Sequence, residues 1–348
     1  TNLMRELPLV SLIMPVFNAE QYLADAILSI LEQSYPNFEF LIIDDGSKDN
    51  SSKIIEHFQK SDTRICVVRQ PINQGLVPSL NRGLDIAQGK YIARMDADDI
   101  SLPDRLSKQV EYLESHPDVG ILGCGVQHID QTGKLLVSPQ LFLGDLSIRW
   151  HILFENPFYH PSIMLRNSTL KTTGFQYNPH KQHAEDFDLL SRLLLFTKAD
   201  NLPDTLLLYR IHSESISEKN TVKQRLKATE ISQETIQRFF PEMSLSTNQI
   251  KQLSEAVLGG TPKAKHQRSR LISIYLKIWA GFSQKHKSEV ELSKLEHDVI
   301  AWAARMILYP PFQPKSAKAL WNLTKTNWKW LFYLIEKLPY YWTRHQFR

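Results

Sequence analysis

The chain has 348 residues, of which 42% are hydrophobic and 22% charged, so it can bury a sizeable core and exceeds one ordinary domain. Its net charge of +4 is far from the dense positive charge of a protein that coats nucleic acid, which argues against that class of partner. The charge is unevenly distributed. Residues 309–348 carry seven Lys and Arg against one acid, Glu336, a local charge of +6 that leaves −2 for the first 308 residues.

The two cysteines, Cys66 and Cys124, lie within apolar runs, which predicts buried thiols in a reducing compartment instead of a disulfide or a metal site. No stretch reaches the roughly 18–20 apolar residues of a membrane span, and the N-terminus lacks the apolar core of a signal peptide. We therefore expect a cytoplasmic protein.

The first two hundred residues alternate short apolar runs with amphipathic segments, which is typical of an α/β domain whose mostly parallel central sheet is flanked by helices. Beyond residue 218 the alternation stops and the chain reads as helices. We predict an α/β domain over residues 1–217 and an all-helical C-terminal region over residues 218–348, with a boundary near Ser217. The predicted strands are Val10–Met14, Phe38–Ile43, Arg64–Arg69, Lys90–Arg94, Val119–Val126, Ile163–Leu165 and Asp204–Arg210.

Polar residues follow successive predicted strands. Pro15 to Asn18 follow the first, Asp44 and Asp45 the second, and Asp96 to Asp99 the fourth. Because the carboxyl ends of parallel strands gather at one edge of a sheet, and ligands bind there, these groups should face one rim.

Asp96, Asp98 and Asp99 place three carboxylates in four positions. Such a cluster repels itself unless a cation sits within it, and carboxylate oxygens without cysteine favour Mg²⁺ or Mn²⁺. The competing interpretation is a solvated acidic loop that caps the helix after it.

Alternatives also exist for the other polar groups. Asp44 and Asp45 fit an Asx-type turn, or a site that accepts hydrogen bonds from a base or a ribose. Glu185 and Asp186 fit the first turn of a helix, which favours acids, or a general base facing the cleft. His212 fits a surface histidine or a metal ligand.

Taken together, these motifs resemble the family-2 inverting glycosyltransferases of GT-A fold. The resemblance covers residues 9 to about 217. It is carried in order by Pro15-Val-Phe-Asn-Ala-Glu20, Ile43-Asp-Asp-Gly-Ser-Lys-Asp49, Asn73-Gln-Gly75 through Ala87-Gln-Gly89, Met95-Asp-Ala-Asp-Asp99, His160-Pro-Ser162, Glu185-Asp-Phe-Asp-Leu189 and Tyr209-Arg-Ile-His212.

The resemblance implies a nucleotide-sugar donor site. Pro15, Phe17 and Glu20 would pack around the base and ribose, with Phe17 standing where the family often has tyrosine. Asp45 would hold the base, and Asp96 would lie toward the ribose and the metal.

The resemblance also implies a metal centre and a base. Asp98 would bind Mn²⁺ or Mg²⁺ between the two phosphates, His212 would complete the metal shell, and Asp99 is a weaker candidate ligand. Arg210 is a candidate phosphate partner, and Asp186 aligns with the catalytic base.

The resemblance implies transfer of a sugar to a hydroxyl of a glycan acceptor. We expect UDP to carry the sugar, because UDP is the family's commonest carrier. Glu185 and His160 are candidates for the acceptor side. The family suggests a lipid-linked intermediate of a bacterial surface polysaccharide. The alternatives are a protein or soluble-glycan acceptor, or a catalytically silent nucleotide-sugar-binding module.

The tail from Pro314 to Leu338 has an apolar stripe at helical spacing with lysines on another side, and four of the seven tryptophans fall in the last 28 residues. This pattern fits a helix lying on an anionic membrane, which would make the protein peripheral on the inner face of the cytoplasmic membrane. Packing against the protein itself or a second subunit is the alternative.

Overall fold

The computed structural model describes residues 7–212, 221–243, 245–257, 265–288 and 291–308. By its internal contacts the chain divides into two compact units, Thr1–Ile231 and Ser232–Arg348. The boundary predicted near Ser217 lies outside the described residues, as does the amphipathic tail after residue 308.

The first unit is built on one eight-stranded sheet of order β3-β2-β1-β4-β7-β6-β8-β5. Six strands run parallel, while β7 and β5 run against their neighbours. The predicted α/β class with a mostly parallel sheet is therefore confirmed. The strands are β1 (Val10–Val16), β2 (Phe38–Asp44), β3 (Ile65–Arg69), β4 (Tyr91–Arg94), β5 (Ile100–Ser101), β6 (Val119–Ile129), β7 (Met164–Arg166) and β8 (Lys198–Arg210).

Helices connect these strands and form the described part of the second unit. They are α1 (Leu23–Leu31), α2 (Ser51–Ser61), α3 (Leu76–Ile86), α4 (Arg105–Ser115), α5 (Asp145–His151), α6 (Asn167–Thr173), α7 (Glu185–Leu193), α8 (Thr221–Phe239), α9 (Thr247–Val257), α10 (Lys265–Lys285) and α11 (Leu292–Leu308). No helix in these parts of the chain is both long and apolar enough to cross a bilayer.

The core of the first unit lies on both faces of the sheet, because its central strands are covered by helices and read as continuous apolar runs. Leu12, Phe40 and Ile42 are fully buried, and α1 presents Ala26 and Ile30 to the same cluster. At ~1.5–3 kcal/mol for each large apolar side chain, burial of this kind is the main term that holds the sheet together.

The strand predicted over Asp204–Arg210 begins earlier, at Lys198, because it pairs in parallel with β6. Its register skips between Leu202 and Thr205, so Pro203 lies in a bulge. A bulge accommodates a proline because its missing N–H is not required by the ladder there.

The prediction of two buried thiols is correct for Cys124 and wrong for Cys66, which is exposed. Cys66 lies on β3, the edge strand of the sheet, and is the exposed residue after the buried Ile65.

Candidate active site

The first two loops of the rim are joined by hydrogen bonds between them. Asn18 adopts a left-handed conformation (φ 49°) and its side-chain oxygen accepts the Lys48 amide at 2.8 Å. Glu20 accepts both the backbone and the side-chain N–H of Asn50, at 2.9 and 2.7 Å. Phe17 is 46% exposed, so its ring is free to stack on a ligand.

These loops border an open depression of about 470 Å³ lined by Asn18, Glu20, Gln21, Lys48 and Asp49. None of the three clustered acids lines it. The depression is therefore distinct from the acid cluster.

The two acids that end β2 have different partners. Asp44 accepts the Ser47 amide and the Ser52 hydroxyl, at 3.0 and 2.6 Å, which fixes the start of α2. Asp45 is 3% exposed and accepts the amides of Gln74 and Gly75, at 2.8 Å each, just before α3. Asp45 thus ties the end of β2 to the start of α3, and its base-binding role stays a prediction.

The structure brings the three predicted acids after β4 together. One ligand atom each from Asp96, Asp98 and Asp99 lie within 4.8 Å of one another. His212 reaches the same cluster from the end of β8, with its Nε2 at 2.8 Å from Asp98 Oδ2.

The acid cluster is crowded with like charges. Burial raises the pKa of Asp96 to about 6; the Arg94 charge opposes this shift and the Asp98 charge adds to it. Burial, followed by the charges of Asp98 and Asp96, raises the pKa of Asp99 well above its usual range. Asp99 Oδ2 is buried and has no hydrogen-bond partner among the described residues. A hard divalent cation fits this set, because its charge would offset the repulsion and Asp99 offers it an unused oxygen.

Arg210 attaches the end of β8 to this cluster. Its backbone amide donates to Asp99 Oδ1 at 2.8 Å, and its Nε donates to the Asp98 carbonyl at 2.9 Å. The guanidinium also lies over the Tyr22 ring, 4.4 Å from its centre. These contacts hold the acid loop in place, and the phosphate contact expected of Arg210 stays a prediction.

Tyr22 connects the first loop to the cluster and was not singled out from the sequence. Besides its contact with Arg210, its ring centre lies 5.1 Å from that of His212. In the sequence Tyr22 looks like one of the apolar positions of α1, so no local signal marks it.

Arg94 is a second residue that the sequence analysis missed. Its Nη1 lies 2.5 Å from Asp96 Oδ2, and its Nη2 pairs with the other oxygen of the same carboxylate. The available signal was an arginine at the end of an otherwise apolar strand, two residues before the acid cluster.

The predicted base lies in the first turn of α7. Asp186 accepts the Asn156 side-chain N–H and the Phe187 amide, at 2.8 Å each, and burial raises its pKa. Glu185 is buried, and burial together with the Asp186 charge raises its pKa to about 7. The charge of Asp186 also acts on Asp96, so the base and the acid cluster share one electrostatic environment.

The side chain of His160 lies against a buried tyrosine. It is buried, and its Nε2 is 2.8 Å from the Tyr177 hydroxyl. Burial, with a contribution from Arg94, lowers its pKa well below the usual range, so His160 is neutral. The acceptor-side roles predicted for His160 and Glu185 stay predictions.

Comparison with known sequences gives one family. Residues 11–172 match the family model of glycosyl transferase family 2. An uncharacterized glycosyltransferase from Haemophilus influenzae is 31% identical over 284 residues, which cover 79% of this chain and 88% of the relative. The O-antigen biosynthesis glycosyltransferase WbnJ from Escherichia coli is 32% identical over 250 residues, covering 70% of this chain and 93% of the relative.

Solved structures share the fold. S. aureus TarS in complex with UDP-GlcNAc matches with a TM-score of 0.57 and 18% identity, over 85% of this chain and 88% of that one. The mannosyltransferase PcManGT from Pyrobaculum calidifontis, in complex with GDP-Man and Mn²⁺, matches with a TM-score of 0.52 and 16% identity, over 87% of this chain and 88% of that one. The α/β unit has the GT-A fold, and helices follow it in the described part of the chain.

Proposed function

This chain belongs to glycosyl transferase family 2, and on that premise we propose that it is a metal-dependent inverting enzyme that moves a sugar from a nucleotide-diphosphate donor to a hydroxyl of a glycan. The observation that carries the proposal is the meeting of Asp98 and His212 beside Asp99, whose Oδ2 is buried without a partner among the described residues.

Asp98, Asp99 and His212 are the residues that would hold Mn²⁺ or Mg²⁺. When bound, the cation supplies positive charge against the negative charge that builds on the leaving pyrophosphate. The complex of PcManGT with GDP-Man and Mn²⁺ supports this choice of metal. Arg210 adds a fixed positive charge beside the same loop.

Asp186 takes the proton of the acceptor hydroxyl as that hydroxyl attacks the anomeric carbon in line with the leaving group. Its raised pKa brings it closer to the working pH of a general base, and Asn156 orients its carboxylate. Glu185 is 6% exposed, whereas Asp186 is partly exposed, so Asp186 is the more accessible of the two to an acceptor hydroxyl. One base and one displacement invert the anomeric centre without a covalent intermediate.

We propose a UDP-sugar as the donor, either a hexose or an N-acetylhexosamine. Phe17 supplies an exposed ring for the base, with Pro15 and Glu20 in the same loop and Asp45 at the end of β2. The TarS complex with UDP-GlcNAc supports uridine, while the GDP-Man complex makes guanosine the donor to test against it.

We propose that the acceptor is a lipid-linked intermediate of a surface polysaccharide, met at the inner face of the cytoplasmic membrane. The relative named for O-antigen biosynthesis, WbnJ, supports a polysaccharide product. The basic, tryptophan-rich sequence of residues 309–348 supports a peripheral membrane position.

Asp186→Asn tests the base. It should abolish transfer while leaving donor binding intact, because the amide keeps the shape of the side chain and cannot take a proton. Asp25→Asn, an exposed position in the first turn of α1, is the matched control and should behave as the wild type. Near-normal transfer by Asp186→Asn would remove this residue from the mechanism.

A thermal-shift panel of UDP-, GDP- and dTDP-sugars, with and without Mn²⁺, identifies the donor class. A ligand that binds only the folded protein raises the midpoint temperature of unfolding. The correct donor should therefore raise this temperature most when Mn²⁺ is present. Equal shifts with and without Mn²⁺ would contradict metal dependence.

A further inference from the structure

Arg94 is a buried cation at the centre of the sheet. It is the last residue of β4, which lies between β1 and β7, and it is 5% exposed. Asp96 follows two residues after the end of the strand, and both Nη atoms of the guanidinium pair with both oxygens of its carboxylate.

This pairing distinguishes Asp96 from its two neighbours in the cluster. Asp99 has a buried oxygen without a partner among the described residues, and Asp98 contacts His212, another metal-binding side chain. Asp96 alone of the three has both oxygens occupied by an internal cation. The three carboxylates are therefore not equivalent as metal ligands, although they lie within 4.8 Å of one another.

Stability does not explain the pair. The side chain of Arg94 is 6% exposed and that of Asp96 28%, and the cost of removing the arginine from water offsets much of the attraction between them. Arg94 Nε is moreover buried without a partner in the described parts of the chain, which is a cost that an apolar side chain would avoid. A function at the site is the better explanation for Arg94.

We propose that Arg94 is a positioning residue that withholds Asp96 from the divalent cation, leaving Asp98, Asp99 and His212 to hold it. The inference rests on the metal site of the proposed function. Each further carboxylate on a cation reduces the positive charge that remains for the diphosphate, so reserving Asp96 keeps the cation effective toward the leaving group. The same contact holds Asp96 in one orientation toward the donor.

The test is a titration of the full-length protein with Mn²⁺ alone, followed by the electron paramagnetic resonance signal of free Mn²⁺. Arg94→Met removes the cation and frees both oxygens of Asp96, so Mn²⁺ should bind about tenfold more tightly. Arg94→Met combined with Asp96→Asn removes both charges, and its affinity should return to within about threefold of the wild type. If Arg94 were merely structural, adding Asp96→Asn would not restore the wild-type affinity for Mn²⁺.

Arg94→Lys is the second variant, for use if Arg94→Met does not fold. Lysine keeps the positive charge but cannot contact both oxygens of Asp96 at once. Arg94→Lys should bind Mn²⁺ more tightly than the wild type, by less than Arg94→Met. Unchanged or weaker Mn²⁺ binding in folded single variants overturns the role of Arg94, as does a double variant that keeps the tighter binding. A wild type that binds no Mn²⁺ overturns the metal site itself, and the titration needs neither donor nor sugar transfer.

Discussion

His212 Nε2 lies 2.8 Å from Asp98 Oδ2, although 114 positions separate the two residues in the chain. The contact forms because β8 runs parallel to β6 and ends at the same edge of the sheet as β4. Arg210, two residues before His212, donates its amide to Asp99. The end of β8 is thus attached to two successive acids of the cluster.

His212→Ala should weaken Mn²⁺ binding roughly 10–100-fold, the range seen when a metal site loses a supporting side chain. The substitution removes a nitrogen ligand and leaves the carboxylates in place. His116→Ala is the control, because His116 is exposed at the end of α4, where it stacks on Tyr112. Equal affinities in the two variants would show that His212 is no ligand.

Glu185→Gln should change how stability depends on pH. Burial and the Asp186 charge raise the pKa of Glu185 from 4.5 to about 7. The pKa of Glu185 is higher in the folded protein than in the unfolded chain, so the unfolded chain releases this proton at a lower pH. The free energy of unfolding that this group contributes is therefore fully present below pH 4.5 and is lost as the pH rises toward 7. Glutamine removes that loss, which is on the order of 3 kcal/mol.

Denaturant titrations of the wild type and Glu185→Gln at pH 4.5 and pH 8 measure this effect. The variant should gain stability relative to the wild type only at the higher pH. Glu32→Gln, at an exposed position after α1, should leave the pH dependence unchanged. Parallel pH profiles for the wild type and Glu185→Gln would contradict a neutral, buried Glu185.

The strand ends and their acids could be predicted from the sequence, because parallel strands bring their carboxyl ends to one edge whatever the strand order. Asp96, Asp98 and Asp99 share one loop, so their proximity followed from local spacing alone. His212 could be attached to them only through resemblance to the family, since its partner is far away in the chain.

Other features depend on tertiary neighbours that no local pattern reveals. Tyr22 has the spacing of a core residue of α1, yet its ring lies against Arg210 and His212. Cys66 lies in an apolar run, and only the strand order shows that β3 is an edge strand. Arg94 stands at the end of an apolar strand and close to the acids in the sequence, but nothing in the sequence shows that the arginine is buried.

Residues 309–348 should mediate binding to an anionic membrane. Liposomes containing anionic lipid should retain the full chain and release a form truncated after residue 308, because the truncation removes a local charge of +6 and four tryptophans. Raised salt should weaken retention of the full chain. Equal retention of both forms would show that residues 309–348 do not mediate membrane binding.

Gly46 and Gly174 form a matched pair that tests the architecture of the rim. Both adopt left-handed backbone conformations, with φ of 71° and 66°, so an alanine at either should cost about 1 kcal/mol in strain. They differ in surroundings. A Cβ on Gly46 would lie 2.8 Å from the backbone carbon of Ile72, whereas one on Gly174 would meet nothing within 4 Å.

Gly46→Ala should therefore lose about 1–3 kcal/mol more than Gly174→Ala in denaturant titrations, since the atoms it meets belong to the main chain and cannot rotate away. It should also weaken donor binding, because the displaced segment leads directly to the Gln74 and Gly75 amides that hold Asp45. Gly174→Ala should leave donor binding unchanged. Equal losses of stability in the two variants would contradict the close contact between Gly46 and residues 72–73. They would also contradict the described connection between Asp45 and the start of α3.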